Sequence, residues 1–223
     1  MKILMIMTNV NTYGNFKEAT GLWLGEATEF IQYLDKDRFT IDYASPNGGK
    51  VYLDPRSVKM ANKKSLEILK NDIDFINGLE NSKKISEVDF KDYEAIYFTG
   101  GHGVMWDFFE NKDIAKLVIN MIENNKYVLS VCHGIAGLLN IKYKDKYIIT
   151  GKKITGFTTS EEILSGKKKK VPFFNQKIAK ENGAKFKKKR FFKSNVVVDE
   201  NFITGQNPFS TVALAKKVNE ILK

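Results

Sequence analysis

At 223 residues, with 43% apolar residues, 28% charged residues and a net charge of +10, the chain is long enough for one α/β domain and too short for two large ones, and its composition excludes a mainly disordered polymer. A single cysteine, Cys132, excludes an internal disulfide and with it a disulfide-built secreted scaffold, so a reducing cytoplasm is the expected setting. No apolar run approaches the ~20 residues of a membrane span, and the short apolar stretch after Lys2 stops at Thr8, too early for a secretory leader.

Taken in chain order, continuous apolar segments alternate with amphipathic ones, the signature of βαβ units around a mostly parallel sheet. Residues 3–7 read as a buried first strand. Trp23, Ala27, Phe30, Ile31 and Leu34 share one face of a helix over about 21–34, and residues 40–44 form the next strand. The stretch 48–91 is less periodic and is expected to hold loops and a helix carrying Phe75, Ile76 and Leu79. Strands follow at 95–98 and 128–131, separated by a helix whose apolar face is Ile114, Leu117, Val118, Met121 and Ile122. Pro172 is placed in the first turn of a helix ending near Gly183. VVVDENFIT predicts a late hairpin of strands 196–198 and 202–204, and a final helix begins near Ser210. Residues 1–223 are therefore expected to form one domain: an α/β fold with a doubly wound, mostly parallel sheet and flanking helices.

The positive charge is local. Residues 163–193 carry twelve lysines and arginines against one acid, Glu181, which leaves the rest of the chain close to neutral. Such a patch can meet phosphates. The reading preferred is a solvated face, because Phe173, Phe174, Phe191 and Phe192 look like core anchors rather than base-stacking platforms.

The chemistry-bearing segment is YVLSVCHGIAGLL, where an apolar strand runs straight into Cys132 and small residues follow before a short helix. That is the pattern of a nucleophile elbow. It puts the sulfur at a helix N-terminus, which favours thiolate, with His133 as an adjacent proton carrier. The competing reading is a buried small hydrophobe, the common fate of a lone cysteine. In AIYFTGGHG a second strand runs into a glycine-rich turn at Gly100 and Gly101, and sites in doubly wound sheets form beyond such strand ends. The backbone N–H groups of Gly101 and His133 are candidate oxyanion donors; the alternative is an ordinary tight turn. Glu26 lies near the core-facing side of the first helix, where a carboxylate is costly unless used. Either Glu161 or Glu162, in GFTTSEE, can orient His133.

Together these segments resemble the ThiJ/PfpI superfamily, a relative of the class I glutamine amidotransferases, and within it the stress-associated branch of glutathione-independent glyoxalases (glyoxalase III), reported also as chaperones and protein deglycases. The resemblance runs from TGLWLGEATEF through FTGGHGVMWDF, SVCHGIAGLLN and KITGFTTSEE to VPFFNQKIAKENGAKF and VVVDENFITGQNPFSTVALA. It implies a flavodoxin-like sandwich with Cys132 as nucleophile, Glu26 as hydrogen-bond partner of the sulfur, and His133 with Glu162 completing a triad-like arrangement. Gly101 and His133 become the oxyanion donors, and Gly100 and His102 belong to the substrate-binding turn. Some relatives build an extra metal site from two histidines and an acid. The two histidines here, His102 and His133, both lie inside motifs, so no metal site and no cofactor are expected. The implied reaction turns methylglyoxal into lactate through a hemithioacetal on Cys132. The alternatives are a cysteine hydrolase of peptidase, deglycase or glutamine amidotransferase type, and a non-catalytic holdase or redox sensor using Cys132. A glutaminase is disfavoured, because no histidine follows His133. The expected partners are a small dicarbonyl or glycated substrate and a second copy of the chain in a homodimer, with no nucleic acid and no membrane, in the cytoplasm.

Overall fold

Strands that are apolar on both faces must be covered on both faces, and the central strands of this protein meet that demand. The computed structural model describes residues 1–222. Its strands are β1 (Lys2–Ile6), β2 (Thr40–Ser45), β3 (Lys83–Lys84), β4 (Ala95–Phe98), β5 (Tyr127–Val131), the short β6 (Lys142–Tyr143), β7 (Lys146–Tyr147), β8 (Lys153–Ile154) and β9 (Lys185–Phe186), then β10 (Val196–Asp199) and β11 (Phe202–Gly205). The helices are α1 (Leu24–Tyr33), α2 (Pro55–Met60), α3 (Lys63–Asn71), α4 (Ile73–Glu80), α5 (Val104–Asp107), α6 (Lys112–Glu123), α7 (Ala136–Leu139), α8 (Thr159–Leu164), α9 (Asn175–Glu181) and α10 (Thr211–Ile221).

Seven strands form one sheet in the order β10-β11-β5-β4-β1-β2-β3, parallel throughout except for the β10–β11 hairpin at one edge. Side chains alternate between two cores, as the period of two requires. Leu4, Ile6, Ile96, Phe98 and Val128 face α6 and α7, which contribute Ile114, Leu117, Val118, Met121 and Leu138. Ile3, Met5, Tyr97, Leu129 and Val131 face α1 and α10, which contribute Ala27, Phe30, Ile31, Leu214 and Val218. The fold is thus a sheet covered by helices on both faces, as expected from the alternation of segments. Phe98 pairs with Ile6 on one side and Ser130 on the other, so the carboxyl ends of β1, β4 and β5 lie level at one edge of the sheet.

Three elements depart from the sequence expectation. The first helix starts at Leu24 rather than near 21. Gly21 is held at φ +152°, its Cβ position only 2.1 Å from the Tyr52 carbonyl oxygen, and Leu22 N–H donates to that oxygen, so the backbone there is extended. The stretch 48–91 holds three helices, α2 to α4, each opened by a side chain that accepts a backbone N–H: Asp54, Asn62 and Asp72. Few of their residues are buried, which is why the segment shows little apolar periodicity. Pro172 lies ahead of the first turn of α9, which starts at Asn175, although Gly183 follows the helix end at φ +85° as expected of a C′ residue. Among the described residues no helix is long and apolar enough to cross a membrane.

Candidate active site

β5 ends in extended backbone at Val131, and the next residue, Cys132, stands at φ +57°. A non-glycine residue in the left-handed region is strained, and such strain concentrates at functional sites. A turn of 3-10 helix over Cys132–Ile135 and then α7 carry the chain away. Gly134 makes the turn possible: a Cβ there would lie 2.3 Å from the Phe98 carbonyl oxygen. The elbow read from the sequence is present, and it places the sulfur at the level edge of β4 and β5.

Cys132 is 3% exposed, and its Sγ lies 3.3 Å from His133 Nδ1. His133 Nε2 lies 2.7 Å from Glu162 Oε2, and His102 Nε2 lies 2.9 Å from Glu162 Oε1, which also accepts from Ser165 Oγ at 3.2 Å. Thr158 opens α8 with a capping box, and this sets the two acids of its first turn on different tasks. Glu162 reaches the imidazoles. Glu161 faces the other way and accepts from Thr158, the Phe192 N–H, Gln206 and Asn207, so it anchors the chain around Phe192 and has no contact with His133. Burial alone would raise Glu162, but the two histidines outweigh it and hold the carboxyl well below the usual carboxylate range. An ionised carboxylate only accepts, so both imidazoles donate to it through Nε2–H. In a neutral His133 ring the lone pair is then on Nδ1, which lies toward the thiol. His102 is lowered to about 4, by burial and then by His133, and is neutral near pH 7.

On the other side of the sulfur stands Glu26, wholly buried. Its Oε2 accepts the Gly100 N–H at 2.6 Å, and its Oε1 has no hydrogen-bond partner among the described residues. Burial raises this carboxyl to about 8, against the opposing pull of Cys132 and the Gly100 N–H, so it keeps its proton near neutral pH. The acidic thiol expected from a helix N-terminus is not what these surroundings produce. Burial, and then the charge of Glu26, push Cys132 well above its ordinary value, while the His133 N–H opposes them and loses. The turn that receives the sulfur is only four residues long, too short to carry a large dipole.

Gly100 and Gly101 are demanded by close approach. A Cβ on Gly100 would lie 2.6 Å from Glu26 Oε2, and one on Gly101, at φ +99°, 2.0 Å from the Gly21 carbonyl oxygen. Gly100 spends its N–H on Glu26. The N–H groups of Gly101 and His133 have no carbonyl partner among the described residues, and both residues line a cavity of about 320 Å³ with Cys132, Trp23, Arg56 and Phe157. His102 lines it too, but as a buried partner of Glu162 rather than as part of a substrate-binding turn alone. The site therefore holds a nucleophile with a base beside it, a carboxyl raised by burial across from it, and two backbone donors, that of Gly101 without a carbonyl partner and that of His133 turned to the sulfur.

Arg56, Tyr13 and Asp54 were missed in the sequence. Arg56 donates to buried Asp54, to the Tyr13 hydroxyl and to His102 Nδ1. The signal available was Asp-Pro at 54–55, an N-cap followed by an N1 proline, hidden in the stretch read mainly as loop.

The ligand atoms of His102, His133 and Glu162 lie within 4.8 Å of one another, a grouping that could hold a metal ion. The sequence argument against such a trio, that both histidines sit inside motifs, fails because the motifs converge. The proton arrangement does not fit a metal, however. A ligating imidazole must free one nitrogen and normally donates from the other to an acceptor. Here the far nitrogen of His102 meets the Tyr13 hydroxyl at 3.1 Å and the Arg56 guanidinium at 3.2 Å, and that of His133 meets the thiol.

Known proteins place this arrangement in a family. Glyoxalase 3 of Candida albicans is 31% identical over 98% of this chain and 97% of its own. The glutathione-independent glyoxalase HSP31 of Saccharomyces cerevisiae is 28% identical over 100% and 98%. The crystal structure of the Rapid Encystment Protein 24 kDa of Francisella tularensis superposes with a TM-score of 0.96 at 36% identity, covering 100% of this chain and 99% of that one. The structure of the Candida albicans glyoxalase III superposes with a TM-score of 0.87 at 30% identity, over 99% and 96%. The DJ-1/PfpI family model matches residues 19–221, which span the elbow, both glutamates and both histidines, and the chain belongs to that family.

Proposed function

We propose that this protein is a glutathione-independent glyoxalase that converts methylglyoxal to lactate through a hemithioacetal on Cys132. The observation that carries the reading is the placing of one buried thiol between two buried carboxyls: Glu162 behind His133, held down by the histidines, and Glu26 on the other side, raised to about 8 by burial. Relatives whose names state this activity match nearly the full length of the chain.

Cys132 Sγ adds to the aldehyde carbon while its proton passes to His133 Nδ1, and Glu162 stabilises the imidazolium that forms. The N–H groups of Gly101 and His133 receive the oxygen of the adduct, and His133 returns its proton to that oxygen. Glu26 gives its proton to the ketone oxygen. As a carboxylate it then takes the hydrogen of the former aldehyde carbon, leaving an enediol. A carboxyl raised to about 8 is matched to such transfers near neutral pH. Glu26 gives its proton to the neighbouring carbon and takes that of the hydroxyl on the sulfur-bearing carbon, which gives the thioester of lactate, and water releases the acid and restores the thiol. The sum is methylglyoxal plus water to lactate: one carbon is oxidised, its neighbour is reduced, and no external redox partner is used.

The test is an assay free of glutathione and other thiols, following lactate from methylglyoxal. The wild type is expected to form one lactate per methylglyoxal consumed, and Cys132→Ala none. No lactate from the wild type, or an equal rate from the variant, overturns the reading.

A further inference from the structure

Arg56 has no place in the reaction above, yet it is built into the site with unusual care. Its Nε donates to Asp54 Oδ1 at 3.1 Å and its Nη2 to Asp54 Oδ2 at 2.7 Å, and Asp54 is itself fully buried, capping α2 and accepting from Thr20 Oγ1. The guanidinium lies 5.6 Å from the ring centre of Tyr13 and 5.7 Å from that of Trp23. The same Nη2 reaches both the Tyr13 hydroxyl oxygen and His102 Nδ1.

We propose that Arg56 is a positioning residue that, from the side opposite Glu162, holds the proton of His102 on Nε2. A guanidinium only donates and does not lose its proton in proteins; one Nη2 hydrogen goes to Asp54 and the other is shared between the Tyr13 oxygen and His102 Nδ1, so the Nδ1 it faces is an acceptor. With its oxygen taken by Arg56, Tyr13 turns its own hydrogen to the same Nδ1. The His102 proton is thereby held on Nε2, pointing at Glu162 Oε1. Glu162 then presents Oε2 to His133 Nε2–H, and the His133 lone pair is left on Nδ1 beside the sulfur. One permanent cation at the rim of the cavity so sets the direction of the hydrogen bonds from Asp54 to His102. The groups facing His102 are Arg56, Tyr13, Glu162 and His133, with the Glu18–Lys167 pair beyond Tyr13.

The chain has two histidines and one cysteine, so the proposal can be read without turnover, and its failure is separable from failure of the glyoxalase reading. Long-range nitrogen–proton NMR of labelled protein, assigned with His102→Gln, reports the protonation of each ring nitrogen against pH. In the wild type His102 is expected to show a bare Nδ1 and a protonated Nε2 between pH 5 and 8. In Arg56→Met the obligation is lifted, and His102 is expected to take a second proton about one pH unit higher or more. Arg56→Lys, which keeps a permanent donor, is expected to restore most of the wild-type behaviour. A wild-type His102 protonated on Nδ1 overturns the proposal even if Arg56→Met does not fold, and so does an Arg56→Met titration identical to that of the wild type.

Discussion

Two glutamates flank the same sulfur, both almost wholly buried, and their surroundings drive them in opposite directions. Glu26 has one backbone donor and an oxygen without a partner, and it is raised to about 8. Glu162 has three donors, His133, His102 and Ser165, and it is held well below the usual carboxylate range. Burial is common to both, so burial does not decide the charge. What decides it is what faces each carboxylate: the charge of His133 and then the hydrogen bonds of the two imidazoles hold Glu162 down, while the thiol and one backbone N–H are too little to do so for Glu26. A site with one proton-bearing carboxyl and one permanent carboxylate can run acid and base steps at a single pH.

The comparison breaks first at Glu162. Glu162→Gln puts an amide where two imidazoles need an acceptor, so His133 loses the tautomer that faces the thiol. Methylglyoxal turnover is expected to fall by ~10³–10⁴-fold, the scale of a lost orienting carboxylate, measured as kcat at saturating substrate. A loss below tenfold would leave Glu162 a structural group.

Glu26→Gln keeps the shape and removes the transferable proton, so kcat is expected to fall by ~10²-fold or more. Its pH signature separates the two glutamates. A carboxyl raised from 4.5 to about 8 makes the folded state bind the extra proton, so the stability it contributes is complete below about 4.5 and is lost as pH rises through 8. Glu26→Gln has no such loss. Its melting temperature is therefore expected to gain on that of the wild type steadily between pH 5 and 8. Asp107, raised to about 7 by burial, slopes both proteins equally and cancels in the difference.

The sulfur reports the same charge. Iodoacetamide labelling of Cys132 is expected to reach its half-point above the ~8.5 of a free thiol and to move down by about one unit in Glu26→Gln, where no carboxylate faces the thiolate. A wild-type half-point below that of a free thiol would restore the acidic cysteine that the elbow motif suggested.

The smallest effect belongs to the lysine-rich segment. Lys167 and Lys170 close on Glu18, which is lowered to about 2, first by those two hydrogen bonds, while Lys168 and Lys169 are exposed. Changing Lys168 and Lys169 to alanine is expected to leave turnover within about twofold, as for surface residues away from packed features. A larger loss would tie the segment to the site.

Much of this was legible in the sequence because it depends on local pattern. The strand, the sulfur and the small residues after it spell the elbow, and the positions of Ile114, Leu117, Val118 and Met121 spell α6. Glu26 was legible because a carboxyl one residue from Ala27 on a core-facing stripe is conspicuous. What depends on which chain segments meet was not legible. Tyr13, Asp54 with Arg56, His102 and Glu162 come from four separate stretches, and only the fold brings them into one line of hydrogen bonds. The same holds for the thiol: adjacency to a helix start is visible in a sequence, but burial beside a second acid is not.

The opposed glutamates can be observed directly. Infrared difference spectra between wild type and each glutamine variant at pH 7 report whether the lost carboxyl carried a proton. Glu26→Gln is expected to remove a protonated-carboxyl carbonyl band, and Glu162→Gln to remove only carboxylate bands. Loss of a protonated-carboxyl band with Glu162→Gln, or its persistence in full with Glu26→Gln, would contradict the account.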